Sequence, residues 1–179
     1  MMQDQLSKHI QKCQHGDSTA FEYILKQYQQ MIYTLSFRIL CNEADAKDAT
    51  QDTFIKVWQN ISTYNQKYKF STWIYRIASN ICFDRLRKEQ TSFDIDIVDN
   101  IMYSEPNQEI AINYKELRNL IKNITDGLPP KQKLVFILSE LEELGADEIS
   151  IITGLSQAKI KSNLYLAKKY VKSKIKEDE

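Results

Sequence analysis

Seven apolar residues, Phe21, Ile24, Leu25, Tyr28, Ile32, Leu35 and Ile39, recur at steps of three and four through a stretch without glycine or proline. That spacing lines them along one side of a helix of about twenty residues, and a stripe of this length must be covered by other apolar surface. Thr19 and Glu22, three apart at its start, predict a capping box. With 4 Gly and 3 Pro in 179 residues, the chain also lacks the punctuation of a many-stranded sheet protein. An all-α fold is expected, and 42% hydrophobic residues suffice for one medium core or two small ones.

Further helices follow from the same periodicity. Leu6, Ile10 and Cys13 predict a short first helix ending at Gly16. Asn42 predicts the cap of a third helix, Glu43 to about Ile61, with Ala46, Ala49, Thr53, Phe54, Val57 and Ile61 inward and Asp45, Asp48, Asp52 and Gln59 outward. A polar, aromatic connection, Ser62 to Lys69, leads to a fourth helix from Ser71 to about Lys88. Its inward side is Ile74, Ile77, Ala78, Ile81 and Leu86, and its other face carries Arg76, Asn80, Phe83, Asp84 and Arg87.

From Thr91 to Tyr114 there are five acids, Asp94, Asp96, Asp99, Glu105 and Glu109, with no Lys or Arg, which predicts an acidic linker between two helical domains. Helical spacing returns with Tyr114, Leu117, Leu120, Ile121 and Ile124 and breaks at Gly127-Leu128-Pro129-Pro130. The two prolines can set the first turn of a helix carrying Val135, Phe136, Leu138 and Leu141. The last stretch has the organisation of a helix-turn-helix: a short helix around Asp147 to Ile152, a turn at Thr153-Gly154-Leu155, and a helix capped by Ser156. Ile149, Ile152, Leu155, Ile160, Leu164 and Ala167 form its expected core side.

Charge is balanced overall, 24 Lys+Arg against 24 Asp+Glu, so only local clustering can point to nucleic acid. The last helix supplies it: between Gln157 and Lys176 there are seven lysines and no acid. In a helix-turn-helix the start of the second helix enters the major groove, which makes Gln157, Lys159, Lys161, Ser162 and Asn163 candidates for base edges and Lys168, Lys169 and Lys172 candidates for phosphates. The plainer alternative is a solvated lysine-rich helix. A second basic patch, Arg76, Arg85, Arg87 and Lys88, lies near Tyr64, Tyr68, Phe70, Trp73, Tyr75 and Phe83. Exposed rings among cations suit unpaired bases, at about 1 to 3 kcal/mol of stacking each, although Trp73 and Phe70 share the spacing of the core positions.

Other chemistries find less support. Cys13, Cys41 and Cys82 never form a C-x-x-C pair, which argues against a disulfide framework or a cysteine zinc site and fits a reducing cytoplasm. No apolar run approaches the ~18 residues of a membrane span, and the polar start does not read as a signal peptide. Asp45, Asp48 and Asp52 share a helix face and invite a Mg²⁺ reading, but no second cluster completes an enzyme site. His9, Cys13 and His15 invite a metal reading against the simpler one of a solvent-facing terminus. No cofactor, metal or catalytic residue is expected.

The order of motifs resembles one family. Gly16-Asp17-x-x-Ala20-Phe21 and Asp45-Ala46-x-Asp48-Ala49-x-Gln51-x-x-Phe54-x-Lys56-Val57-Trp58 look like regions 2.1 and 2.2 of the extracytoplasmic-function (ECF) group of sigma-70-type initiation factors. Phe70-x-x-Trp73-Ile74-x-x-Ile77-Ala78-x-Asn80 with Asp84-x-Leu86-Arg87 looks like regions 2.3 and 2.4. Leu128-Pro129-Pro130-Lys131-Gln132 through Glu148-Ile149, then Gly154-Leu155-Ser156 and Ile160-Lys161-Ser162-x-Leu164, is similar to region 4. The resemblance implies a region 2 domain at 1–90, an acidic linker at 91–113 and a region 4 domain at 114–179. It implies that Asp45, Asp48, Gln51, Asp52 and Lys56 grip RNA polymerase core. Tyr64, Arg76, Asn80, Phe83 and Arg87 would meet the −10 element, with Tyr64 and Asn80 at a flipped base, and the last helix would read the −35 element. Asn163 and Leu166 stand where the family often has arginine, and Phe83 is apolar on a face that should meet DNA. An anti-sigma factor, membrane-bound or not, is a further implied partner. A stand-alone helix-turn-helix regulator is the competing reading, and the first domain discriminates, because such a regulator needs no acidic helix face beside a basic aromatic one.

Overall fold

The computed structural model describes residues 2–91, 116 and 119–177, with side chains excepted at 2–4, 89–91 and 177. Among these residues every regular element is helical. The proposed linker lies outside them, as do Tyr114 and Leu117.

Helix α1 (Met2–Gln14) is stopped by Gly16, whose φ of 90° only glycine adopts cheaply. It is not a solvent-facing terminus. Ile10 and Cys13 are buried, and the Gln14 amide donates to the carbonyls of Ile61 and Tyr64 at 3.0 and 2.9 Å. Helix α2 (Phe21–Leu40) buries Ile24, Ile32, Leu35 and Ile39 completely, at about 1.5 to 3 kcal/mol each. The capping box at its start does not form. Asp17 Oδ1 instead accepts from the N–H groups of Thr19 and Ala20 at 2.9 and 3.3 Å and from the Thr19 hydroxyl at 2.6 Å. A charged acceptor two residues upstream outcompetes the threonine hydroxyl, and Glu22 pairs with Lys26 at 2.6 Å.

Helix α3 (Glu43–Asn60) is capped as expected, Asn42 Oδ1 accepting from the Asp45 N–H at 3.2 Å. Its predicted stripe is buried throughout, and a 3₁₀ turn, Ile61–Thr63, carries the chain towards α4 (Phe70–Thr91).

In the second region α5 (119–125) buries Ile121 but leaves Leu120 59% exposed, off the predicted stripe. Pro130 opens α6 (Pro130–Phe136), which runs on into a wider π-helical turn, Ile137–Leu141. There the Glu142 N–H reaches back to the Ile137 carbonyl at 3.0 Å. The extra residue per turn redirects the chain as it leaves the helix, and Glu143 then takes a φ of 54°, which costs a non-glycine residue about 1 to 2 kcal/mol. Helix α7 (Ala146–Thr153), the left-handed Gly154 and α8 (Gln157–Glu177) complete the helix-turn-helix. Ser156 caps α8 by accepting from the Lys159 N–H at 3.4 Å, and the Tyr170 hydroxyl donates to the Asp126 carbonyl, tying α8 to the end of α5.

The two helical regions pack together. α6 and α7 rest against α4, and one continuous buried cluster runs from Ile10 to Val171.

Candidate nucleic-acid interface

Helix α8 presents what a duplex would meet. Gln157, Lys159, Lys161 and Ser162 are exposed at its start, whereas Ile160 and Ala167 turn inward against α6 and α7. Two side chains are engaged internally: Gln157 donates to Asp147 Oδ1 at 2.5 Å, and Asn163, half-buried, donates to the Lys159 carbonyl at 2.7 Å. Farther along, Lys169 and Lys172 are exposed, and Lys168 pairs with Glu140 at 2.9 Å. Phosphate binding by Lys168 must therefore compete with a carboxylate.

Helix α4 has three faces. Ile74, Ala78, Ile81 and Cys82 are buried in the core. Trp73, Arg76, Asn80, Asp84 and Arg87 fall three and four apart on another face, where Trp73 is half-buried and the others are exposed. Phe83 is half-buried against the core cluster, which accounts for an apolar residue beside the polar face. On the third side Tyr75 is buried, and its hydroxyl donates to Glu142 Oε2 at 2.7 Å. Burial and that carboxylate push the Tyr75 phenol far above its ordinary pKa.

The aromatic cluster sorts itself by burial. Tyr64 is a core ring, not an exposed one: it meets Phe70 edge-on at 4.9 Å and Trp73 at 5.3 Å, and its hydroxyl donates to the Tyr68 carbonyl at 2.8 Å. Tyr68 is the exposed ring, with the Lys67 ammonium 5.6 Å from its centre. A sequence pattern cannot separate them, because both stand in the same non-periodic connection.

Arg85 departs most from its expected place. Its guanidinium lies 2.7 Å from Asp52 Oδ2 and 3.6 Å from Asp45 Oδ1, so it bridges α4 to α3 instead of extending the basic patch. Two of the acids that invited a Mg²⁺ reading are thereby held by a cation. Among the described residues no cluster of His, Cys, Asp and Glu could hold a metal ion, and no helix is long and apolar enough to cross a membrane. Cys13 lies in the core, and His15 contacts its own helix, Nδ1 to the Gln11 carbonyl at 2.7 Å. On the α3 surface Asp48, Gln51 and Lys56 stay exposed, joined by Ile55.

Contacts between the two regions were invisible to sequence reasoning. Arg38, near the end of α2, donates to the Leu141 carbonyl at 2.6 Å and to Glu142 Oε1 at 2.7 Å, and Lys69 reaches Glu148 at 3.3 Å. Partners 79 to 104 residues apart leave no periodic signal.

Comparison with known proteins meets this geometry on both halves. Sigma-70 region 2 matches residues 24–92, and Sigma-70, region 4 matches residues 118–171. The ECF RNA polymerase sigma factor SigW of Bacillus subtilis (strain 168) is 30% identical over 98% of this chain and 100% of its own length. The ECF RNA polymerase sigma-E factor of Escherichia coli (strain K12) is 25% identical, with 97% of each chain covered. Among solved structures, CnrH in complex with the cytosolic domain of CnrY superposes with a TM-score of 0.71 at 16% identity, over 96% of this chain and 97% of CnrH. The sigma factor RpoE in complex with the anti-sigma factor NepR from Bartonella quintana gives 0.66 at 19% identity, over 89% and 98%. With a relative at that identity over its whole length, and region 2 and region 4 matched in order, the chain belongs to the ECF group of sigma-70-type RNA polymerase sigma factors.

Proposed function

We propose that this protein binds RNA polymerase core, brings it to promoters by reading a −35 and a −10 element, and promotes strand opening without catalysing a reaction itself. The observation that carries this reading is the pairing, in the first region, of an exposed polar α3 face (Asp48, Gln51, Lys56) with the basic α4 face (Arg76, Asn80, Arg87). A factor that must hold polymerase and also engage opened DNA needs both surfaces. A regulator acting on duplex DNA alone needs only α8.

Residues 1–90 would then serve core and the −10 element, 91–113 would link, and 114–179 would serve the −35 element. Gln157, Lys159, Lys161, Ser162 and Asn163 are assigned to base edges and Lys169 and Lys172 to phosphates, Lys168 joining them once it leaves Glu140. Asp45 and Asp52 act in core docking by way of the Arg85 bridge, which fixes α3 against α4. Tyr64 supports the base pocket from beneath as a packed ring, and Tyr68 and Trp73 offer the surfaces nearest to it for stacking. The cytoplasm is the expected compartment. An anti-sigma factor is a proposed partner, because solved relatives of this fold were captured with such proteins.

The test is reconstitution of the full chain with core polymerase and promoter DNA. Co-elution with core and start-site-specific transcripts are expected. Duplex binding by the chain alone, with no association with core, would favour the stand-alone regulator.

A further inference from the structure

Helix α1 presents an arranged cationic face that serves neither the core nor the surfaces described above. Its inner side is fixed in three ways: Ile10 and Cys13 are buried, the Gln14 amide donates to the Ile61 and Tyr64 carbonyls, and the His9 ring stacks on Tyr23 with centroids 4.2 Å apart. Helical spacing then turns Lys8, Gln11, Lys12 and His15 to the outer side, where all four are exposed and line one shallow cleft with Asp17. No acid stands between Gln5 and His15. Asp17 offsets one lysine, but its Oδ1 already accepts from the Thr19 hydroxyl and from the N–H groups of Thr19 and Ala20. The cleft therefore keeps a net positive charge and exposed donors in Lys8, Gln11 and Lys12.

The chemistry and the place of this face indicate its partner. Lys8 to His15 spans about 10 Å of helix, room for two or three phosphates at the ~3.4 Å axial spacing of a nucleic-acid strand. Among the described side chains of α1 no large apolar one is exposed, so the face lacks the apolar surface by which a basic helix enters a lipid layer. Its end adjoins the proposed −10 surface: Gln14, next to His15, is bonded to the start of the connection that carries the exposed Lys67 and Tyr68 and leads into α4. An unpaired strand that stacks on Tyr68 can continue onto these cations, whereas duplex DNA at the −35 element meets α8.

We infer that Lys8, Gln11, Lys12 and His15 on the outer face of α1 form a further nucleic-acid contact, which holds the sugar–phosphate backbone of the unpaired promoter strand beside the −10 contact. The inference rests on the function proposed above. A phosphate neutralised on single-stranded DNA contributes about −0.7 to the salt slope, so losing two should flatten the slope by about 1.4. Such contacts are worth little near ~1 M salt, so the affinity lost at ~0.1 M is roughly 25-fold. Sequence preference should stay unchanged, because a backbone contact reads no base.

The experiment uses the full chain assembled with core polymerase and two labelled single strands, one ending at the edges of the −10 element and one extended on both sides. Binding is titrated at several salt concentrations. Wild type should hold the extended strand more tightly than the short one. Lys8→Gln combined with Lys12→Gln should lose roughly 25-fold on the extended strand at ~0.1 M salt, with the flatter slope, and keep short-strand affinity, core affinity and Tm. Lys12→Gln alone should show half the change in slope, and it decides on the same criterion if the double variant does not fold. An extended strand bound equally by wild type and variant overturns the contact. Equal losses on both strands overturn it as well, and so does a loss of core affinity, which would make the face a polymerase-docking surface. Failure of the wild-type assembly to bind even the short strand would instead strike the proposed function, and this contact would fall with it.

Discussion

Substitutions at Tyr64 separate a core ring from a base-contacting one. Tyr64→Ala removes a ring that packs against Phe70 and Trp73 within 5.3 Å and is only 9% exposed. Deleting a buried aromatic side chain costs about 3 to 5 kcal/mol. At about 2 to 4 °C per kcal/mol for a chain of this size, Tm should fall by roughly 6 to 20 °C. Tyr64→Phe keeps the ring and loses only the hydroxyl's bond to the Tyr68 carbonyl, about 1 kcal/mol, because that carbonyl belongs to an exposed residue and can turn to water. Asn80 is exposed, so Asn80→Ala should leave Tm within about 2 °C. Thermal unfolding is paired with permanganate footprinting of unpaired thymines on a promoter bound by the reconstituted enzyme. Tyr64→Phe should melt the promoter, Asn80→Ala should retain duplex binding at the −35 element but suppress opening, and Tyr64→Ala should fail through instability. A Tyr64→Ala chain with wild-type Tm would refute the core argument, and normal opening by Asn80→Ala would remove that residue from the pocket.

Charge reversal distinguishes the acids of α3: Asp48→Lys should weaken core binding with Tm unchanged, whereas Asp52→Asn and Arg85→Met should couple in a double-mutant cycle by up to about 1 kcal/mol, as a partly exposed pair does. Equal effects of all three on Tm would dismiss the bridge. On α8, Lys161→Ala should change preference at one or two −35 positions by about 1 to 3 kcal/mol, and Lys172→Ala should weaken all sites alike while lowering the salt slope by roughly one unit, both read by titration against duplexes at several salt concentrations. Burial pushes the Cys82 thiol up to about 11 from 9.0, so the folded chain holds a proton that the unfolded chain loses above pH 9. Its contribution to stability is present below pH 9 and is lost as pH rises towards 11, which denaturant titrations at pH 8 and pH 10.5 would detect. A thiol reagent at pH 8 should label Cys41 before Cys13 or Cys82, since those two are buried.

The limits of sequence reasoning come from the range of the interactions. Helix spans, the Asn42 cap, the Pro130 start and the turn at Gly154 each depend on residues within about four positions, and these were legible. The first failure was also local: Asp17 and Thr19 both offered an acceptor to the start of α2, and pattern alone does not rank a carboxylate two residues upstream above a hydroxyl. Of the candidate site, what remained legible was the charge on α8, because helical spacing keeps six of the seven lysines off the Ile160 and Ala167 side, Lys174 alone following it. Arg85 was misplaced for a different reason. Its spacing fits a solvent-facing cation as well as a bridge, and the choice is made by Asp52 on another helix, 33 residues away. Tyr75 and Arg38 meet Glu142 across still longer intervals, and a buried carboxylate looks in sequence like any exposed one. Its surroundings come from the packing of α4 against α6 and α7, so a position that reads as surface charge is buried where the two regions meet.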